Sequence, residues 1–364
     1  MPSPITELTL FPTLTRDAIL SFQFSSWYPK YSSQSIKSTI IRPLDPEFKD
    51  YLDSEGVFIP EGAEDTLIES TLSDDEDEAE NHDDSDENED EPRRKFSFPE
   101  LDAKIRAAIS KYTAVFPKLN FSSPRDAAWM LPASSPMRCT SPADVYLLLK
   151  SSDFILHDLD PEVVFEETVE EKSQSASDTY PYQLELILRK WYPVDHSREL
   201  RCFVRRERLI GISQRDPNYY DFWNETTTQR KVLDAVTNFW ETNIKGKWEA
   251  TDGNYVFDIL LTVDLTRAHI IDFNPYAPRT DPLLFTYDEL QTLALKNLEP
   301  TLRVIDSRNH PAATRNAPAH QHNMVPLEAL ALSQGRSLED FTGSLQEEIM
   351  KSTLEDDMAG LSMT

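Results

Sequence analysis

Two acids stand inside apolar runs of this chain, where an ionised carboxylate is costly to keep. They are Asp258 in Phe257-Asp258-Ile259-Leu260 and Asp272 in Ile270-Ile271-Asp272-Phe273-Asn274-Pro275. Such runs read as strands, along which side chains alternate, so Asp272 and Asn274 share one face. A hairpin symmetric about Leu265 sets Asp258 opposite Asp272. Like charges directly opposite destabilise a sheet, and half-buried carboxylates must protonate unless a cation lies between them. Magnesium usually takes one or two carboxylates and completes its shell with phosphate and water, and Asn274 adds a neutral oxygen. The alternative is a slipped register that leaves one acid in solvent.

Cations supply the other half of an anion site. Arg189 and Lys190 end one apolar strand, Arg201, Phe203 and Arg205 share a face of the next, and Arg215 follows it. Lys118 stands alone after Phe116-Pro117. A solvated strand face would give the same pattern. Of the eight glycines, no pair has the GxGxxG spacing and none begins a P-loop, so a bound nucleotide has to be held by side chains. The GxSxG elbow and the HExxH zinc motif are also missing. The histidines are scattered, and His320 and His322 read as polar sequence in preference to a metal site.

The elements that must position these residues alternate between helix and strand signals. Ser97-Phe-Pro-Glu100 has capping-box spacing, and Leu101, Ile105, Ile109 and Tyr112 recur on one helical face behind it. Ser141-Pro-Ala-Asp144 repeats the start signal before Val145. Leu184 to Trp191, Leu200 to Arg205 and Arg208 to Ser213 read as strands, the last two a tight hairpin around Arg206 and Glu207. Val232, Ala235, Val236, Phe239 and Trp240 predict a helix. Asn254 to Thr262 and Arg267 to Phe273 form the hairpin that carries the acids. The layout is α+β with antiparallel hairpins and no internal repeat.

Composition narrows the setting. Among 364 residues, 64 acids outnumber 36 lysines and arginines, for a net charge of −28. That balance disfavours nucleic acid and anionic membranes as partners. Thirteen of the acids lie between Asp74 and Glu91 with no base among them, so residues 72–92 are expected to be a disordered acidic loop. A polar stretch from Ser307 to Asn323 opens an expected flexible tail over 307–364. Two cysteines cannot build a disulfide framework, and no apolar run approaches the roughly 20 residues that span a bilayer. The start, MPSPITELTLF, lacks a signal peptide's basic and apolar stretches. A cytoplasmic monomer is expected.

Several ordered motifs together resemble the cell division cycle protein 123 family. They are Phe24-Ser-Ser-Trp-Tyr-Pro29, Phe116-Pro-Lys-Leu-Asn-Phe-Ser-Ser-Pro-Arg-Asp-Ala-Ala-Trp129, Cys139-Thr-Ser-Pro-Ala-Asp-Val-Tyr146, Leu188-Arg-Lys-Trp191, Glu199-Leu-Arg-Cys-Phe-Val204, Gly211-Ile-Ser-Gln-Arg-Asp216 and Ile271-Asp-Phe-Asn-Pro275. The match runs from about Phe22 to Ile305. The resemblance implies an ATP-grasp-like fold that holds ATP and magnesium between two α+β lobes. It also implies a role in assembling eukaryotic translation initiation factor 2 through its gamma subunit. Residues 1–71 then form the N-terminal part of the folded body, 93–183 the smaller nucleotide-binding lobe and 184–306 the larger lobe.

Carried over residue by residue, the resemblance has Lys118 touch phosphate from the smaller lobe. Leu188 to Trp191 becomes the hinge whose backbone reads adenine, with Arg189 and Trp191 framing the nucleotide. Asp195 or Glu199 takes the ribose hydroxyls, Arg201 and Arg215 offset phosphate charge, and Asn120 and Lys190 join the nucleotide-binding set. Asp258, Asp272 and Asn274 hold magnesium. The glycine-rich phosphate cover of ATP-grasp ligases has no counterpart, so binding with little or no turnover is expected over carboxylate ligation. A divergent kinase, suggested by Gln214-Arg-Asp216 and Asp272-Phe-Asn274, fails because no catalytic-loop asparagine follows Asp216 at the right offset.

Overall fold

The computed structural model describes residues 8–64, 95–132, 134–169, 182–248, 251–296 and 299–315. The acidic loop expected at 72–92, and the expected tail apart from residues 307–315, lie outside the described residues. The chain opens with α1 (Arg16–Ser21), capped by the Thr15 side chain, and α2 (Phe24–Tyr31). Next come β1 (Ser38–Ile41), α3 (Pro46–Asp53), α4 (Pro99–Tyr112) and β2 (Val115–Lys118). Three helices, α5 (Pro142–Lys150), α6 (Leu156–Leu159) and α7 (Pro161–Phe165), precede β3 (Leu186–Lys190). The hairpin of β4 (Glu199–Arg205) and β5 (Arg208–Gln214) leads to α8 (Thr226–Asn243) and a second hairpin, β6 (Tyr255–Leu261) with β7 (Ala268–Pro275). The described part ends with α9 (Tyr287–Lys296), β8 (Thr301–Arg303) and α10 (Pro311–Arg315).

These elements make an α+β fold with two sheets. The smaller is antiparallel in the order β1-β3-β2, and the larger runs β7-β6-β4-β5-β8, antiparallel except for the β5 and β8 pair. Strand β3, read from the sequence as the opening of the larger lobe, is the central strand of the smaller sheet. Its alternate residues are divided between two cores. Leu186 and Leu188 join Phe48, Tyr51, Ile105 and Tyr146 on one side, while Ile187 joins Trp27, Cys202, Trp240, Phe257 and Phe273 on the other. Each large side chain buried this way is worth about 1.5–3 kcal/mol of transfer free energy.

The acid-bearing hairpin keeps the expected pairing by an unexpected route. Leu261 pairs with Ala268 and Ile259 with Ile270, a register that would set Asp258 opposite Ile271, one residue short of Asp272. A bulge between Asp258 and Ile259 absorbs Ile271 and restores Asp258 opposite Asp272. The bulge leaves Ile271 without a partner on β6, and its carbonyl accepts a hydrogen bond from Arg189 Nη1 at 2.8 Å.

Helix starts divide the two capping signals. Ser141 and Asp144 form the full capping box at α5. Ser97 does not cap α4; Phe98 occupies that position, and the Ser97 hydroxyl donates to the Glu61 carbonyl instead. The β4 to β5 turn is tight because Arg206 and Glu207 both adopt left-handed conformations, with φ of 50° and 56°. The Glu207 N–H donates to the Gly253 carbonyl at 2.9 Å, which seats the turn on the loop before β6. Gly253 has φ +71°, and a Cβ there would lie 2.5 Å from the Glu207 nitrogen. Gly56 has a similar φ of +78° with open space around it. Gly253→Ala is therefore expected to cost about 2–3 kcal/mol, and Gly56→Ala only about 1 kcal/mol. Chemical denaturation of the two variants beside the parent chain checks the difference.

Candidate functional site

A cleft of about 490 Å³ is lined by residues of both sheets. Ile36, Phe116, Met137, Trp191, Pro193 and Val194 give it an apolar wall. Four cations, Lys118, Arg125, Arg189 and Arg215, face it with two carboxylates, Glu199 and Asp272. In a chain of net charge −28 this is a local excess of positive charge. Its size is that of a small-molecule site.

The charges are wired in two groups. Asp258 is 2% exposed and is gripped by Arg201, whose Nε and Nη2 each lie 2.8 Å from one carboxylate oxygen. Arg201 sits directly across from Asp258 on β4, so the fork meets the carboxylate within the sheet. Burial alone would raise the Asp258 pKa, but Arg201 and Arg215 outweigh it and hold it below the ordinary value. Arg215 also reaches Glu199 at 2.7 Å, and His196 Nδ1 lies 2.7 Å from the other Glu199 oxygen. Against the upward push of burial, the His196 hydrogen bond and the charges of Arg215 and Arg125 hold Glu199 at about 2. The Glu199 contact in turn raises His196. Arg125 is lowered, first by the like charge of Arg215 and then by burial.

The second group spans the sheets. Lys118, at the end of β2 and 3% exposed, places Nζ 2.8 Å from Asp272 Oδ2 on β7 and also donates to the Phe121 carbonyl. Arg189 lies under the cleft with its guanidinium over Phe24 and Phe116, at 5.3 and 5.4 Å. Its Nε and Nη2 are buried without partners, and burial lowers its pKa to about 10.

Other residues expected at the site fall elsewhere. Asn120 is fully buried and committed to the backbone, donating to the Gln183 carbonyl and accepting from the Glu185 N–H, and it does not line the cleft. Lys190 lies over Tyr192 at 4.8 Å, outside the cleft lining. Asp195 caps the short turn at His196–Arg198 through Ser197, so that of the two only Glu199 lines the cleft. Asn274 lines a smaller cavity of about 200 Å³ with Phe121, His157 and Arg279, and its Nδ2 is buried without a partner. Among the described residues no three histidine, cysteine, aspartate or glutamate side chains are grouped to hold a metal.

A family model described as D123 matches residues 27–333. The chain belongs to the D123 family. One D123 relative, the translation initiation factor eIF2 assembly protein of Botryotinia fuckeliana, is 40% identical over 315 residues, covering 85% of this chain and 72% of its own. The protein of the same description from Schizosaccharomyces pombe is 33% identical and covers 93% of this chain and 98% of its own. Cell division cycle protein 123 of Yarrowia lipolytica is 35% identical, covering 88% and 81%. The solved structure of Cdc123 from Schizosaccharomyces pombe is 31% identical with a TM-score of 0.62, over 81% of this chain and all of that one.

Sequence reasoning about this D123 chain overlooked Arg125 and His196. Both lie near positions it did single out, Arg125 inside the Phe116 to Trp129 motif and His196 beside Asp195. The depressed Glu199 predicts an acid-side signature. Its contribution to stability is full above the ordinary carboxylate value of 4.5 and is lost as the pH falls towards about 2. Thermal melts between neutral pH and about pH 3 should fall less steeply for Glu199→Gln than for the parent chain.

Proposed function

We propose that this D123 chain is an assembly factor for eukaryotic translation initiation factor 2, binding ATP with magnesium in the cleft and engaging the gamma subunit. The names of its relatives support the assembly role. The observation that carries the nucleotide reading is the cleft itself, an apolar wall beside four cations in an acidic chain. Trp191 and Phe116 offer flat apolar surface to a base, and Glu199, an acceptor ionised at any physiological pH, suits ribose hydroxyls. Lys118, Arg125 and Arg215 meet the phosphates, while Arg189 and Arg201 act from behind by fixing the Ile271 carbonyl and Asp258.

The donors also fit a magnesium ion. Asp272 is open to the cleft, and Asn274 stands two residues further along β7, where it lines the adjoining smaller cavity and would have to turn its amide oxygen towards the ion. Asp258 is the third, set behind the cleft lining; its Oδ2 meets both Arg201 and Arg215, while Oδ1 accepts one bond from Arg201 and keeps a further lone pair. Bound there, the ion neutralises phosphate charge. The chain's own part is to hold the carboxylates ionised and to shield the cleft. Because Lys118 of β2 already pairs with Asp272 of β7, a ligand that touches both favours one arrangement of the sheets. It thereby stabilises whatever surface that arrangement presents to a partner.

Asp272→Ala is expected to abolish magnesium-dependent ATP binding in titration calorimetry while the chain stays folded. Asp258→Ala should weaken binding and also destabilise the fold by about 3–5 kcal/mol, because it strands a buried Arg201. Wild-type ATP affinity in the Asp272 variant would remove the site. Pull-down of the isolated gamma subunit, with ADP release quantified in parallel, tests the assembly reading. Capture without turnover supports it, and coupled ADP release would turn the reading to ligation.

A further inference from the structure

Strand β1 has one open edge. On its other side Lys190 N–H donates to the Lys37 carbonyl at 2.8 Å, which makes that pair the hydrogen-bonded kind and sets the alternation along the register of Ser38 with Arg189. Ser38 and Ile40 therefore point their backbone groups away from β3. The Ser38 N–H is taken up by the Tyr28 hydroxyl at 2.8 Å, and the Ile40 N–H and C=O have no partner among the described residues. Two of the other three sheet margins differ. Cys139 pairs with Val115 along the outer edge of β2, and Ser35 bridges Ile270 on the outer edge of β7.

A groove of about 330 Å³ runs along the open edge. Its second wall is a stripe of α4, Lys104, Ala107, Ala108 and Lys111, at the spacing that places residues on one helical face. The two alanines give a low apolar floor, and the two lysines stand exposed at its ends. Neither lysine is paired with a carboxylate among the described residues. Arg42 adds a third cation at the strand end, partly engaged by Ser25 and Glu185 at 3.1 and 3.8 Å.

We propose that this groove docks an acidic, apolar-alternating segment of a partner protein, which adds to β1 as a further strand. An exposed edge supplies main-chain hydrogen bonds, and the groove selects the side chains. Apolar residues on one face of the added strand cover Ala107 and Ala108, and carboxylates meet Lys104 and Lys111. The chain's own acidic run does not fit this description, since Asp74 to Glu91 contains a single apolar residue, Ala79. None of these groove residues lines the nucleotide cleft, so the inference stands independently of the proposed ATP site.

The probe is a fluorescent heptapeptide alternating glutamate and valine, compared with one in which lysine replaces glutamate. Anisotropy titration of the full chain should show saturable binding of the acidic peptide only, weakening with added salt. Lys104→Glu combined with Lys111→Glu should reduce affinity at least about tenfold with melting temperature little changed. Ala107→Glu, also at an exposed position, should give a comparable loss. Binding should slow hydrogen exchange at the Ile40 amide. Replacing residues 65–94 by a short Gly-Ser linker is straightforward because Lys95 and Glu61 pair at 2.9 Å, and the linker form should bind as the full chain does. Binding that emerges only in the linker form would overturn the partner and assign the groove to the chain's own segment. Unchanged binding in the charge-reversed chain, an unprotected Ile40 amide, or no binding at all would overturn the site.

Discussion

Asp258 and Asp272 face each other across β6 and β7, and two ionised carboxylates so placed repel unless each has its own counter-charge. The molecule draws those counter-charges from different places. Arg201, on the neighbouring strand of the same sheet, commits its fork to Asp258 and has none left for Asp272. Lys118 reaches Asp272 from the end of β2, in the other sheet. Neutralising the second acid is thus the same event as bringing the two sheets together. Arg189 repeats the pattern one strand away, spending a donor on the carbonyl that the bulge at Ile271 leaves exposed. The cleft exists where it does because these two ties hold its floor.

Much of the larger sheet was legible from the chain. Both hairpins arise from short-range patterning, and the two acids do lie opposite each other. Patterning could not supply the bulge that achieves this, since an extra residue in one strand leaves the apolar rhythm almost untouched. Nor could it supply the arginine fork, because the placing of β4 beside β6 joins segments more than fifty residues apart. The smaller sheet was the harder case for the same reason. Its strands come from residues 38–41, 115–118 and 186–190, and β3 looked like the first strand of the larger sheet because both of its faces are apolar and β4 comes next in the chain. Asn120 entered the candidate site through the family resemblance. The structure turns its amide the other way, to satisfy the backbone at Gln183 and Glu185.

The cleft also shows how a strongly acidic chain keeps a place for anions. Glu199 serves as a relay, drawing Arg215, His196 and Arg125 to one side of the cavity. The mutual repulsion of Arg125 and Arg215 is left in place, visible in the lowered Arg125. Low-dielectric walls of apolar side chains then concentrate that field in the cavity, within a chain whose net charge is −28.

The central position of β3 has a consequence for synthesis. Strand β1 leaves the ribosome first, yet its partner Leu186 is made 145 residues after Ile41. At elongation rates of about 5–20 residues per second, that is a wait of roughly 7–29 seconds. Through that interval β1 and β2 have no strand between them, and Trp27 and Tyr31 of α2 wait longer still, for Phe273 on β7. Completion of β3 closes the smaller sheet from its middle outwards. The smaller sheet thus stays incomplete until residue 190 has emerged.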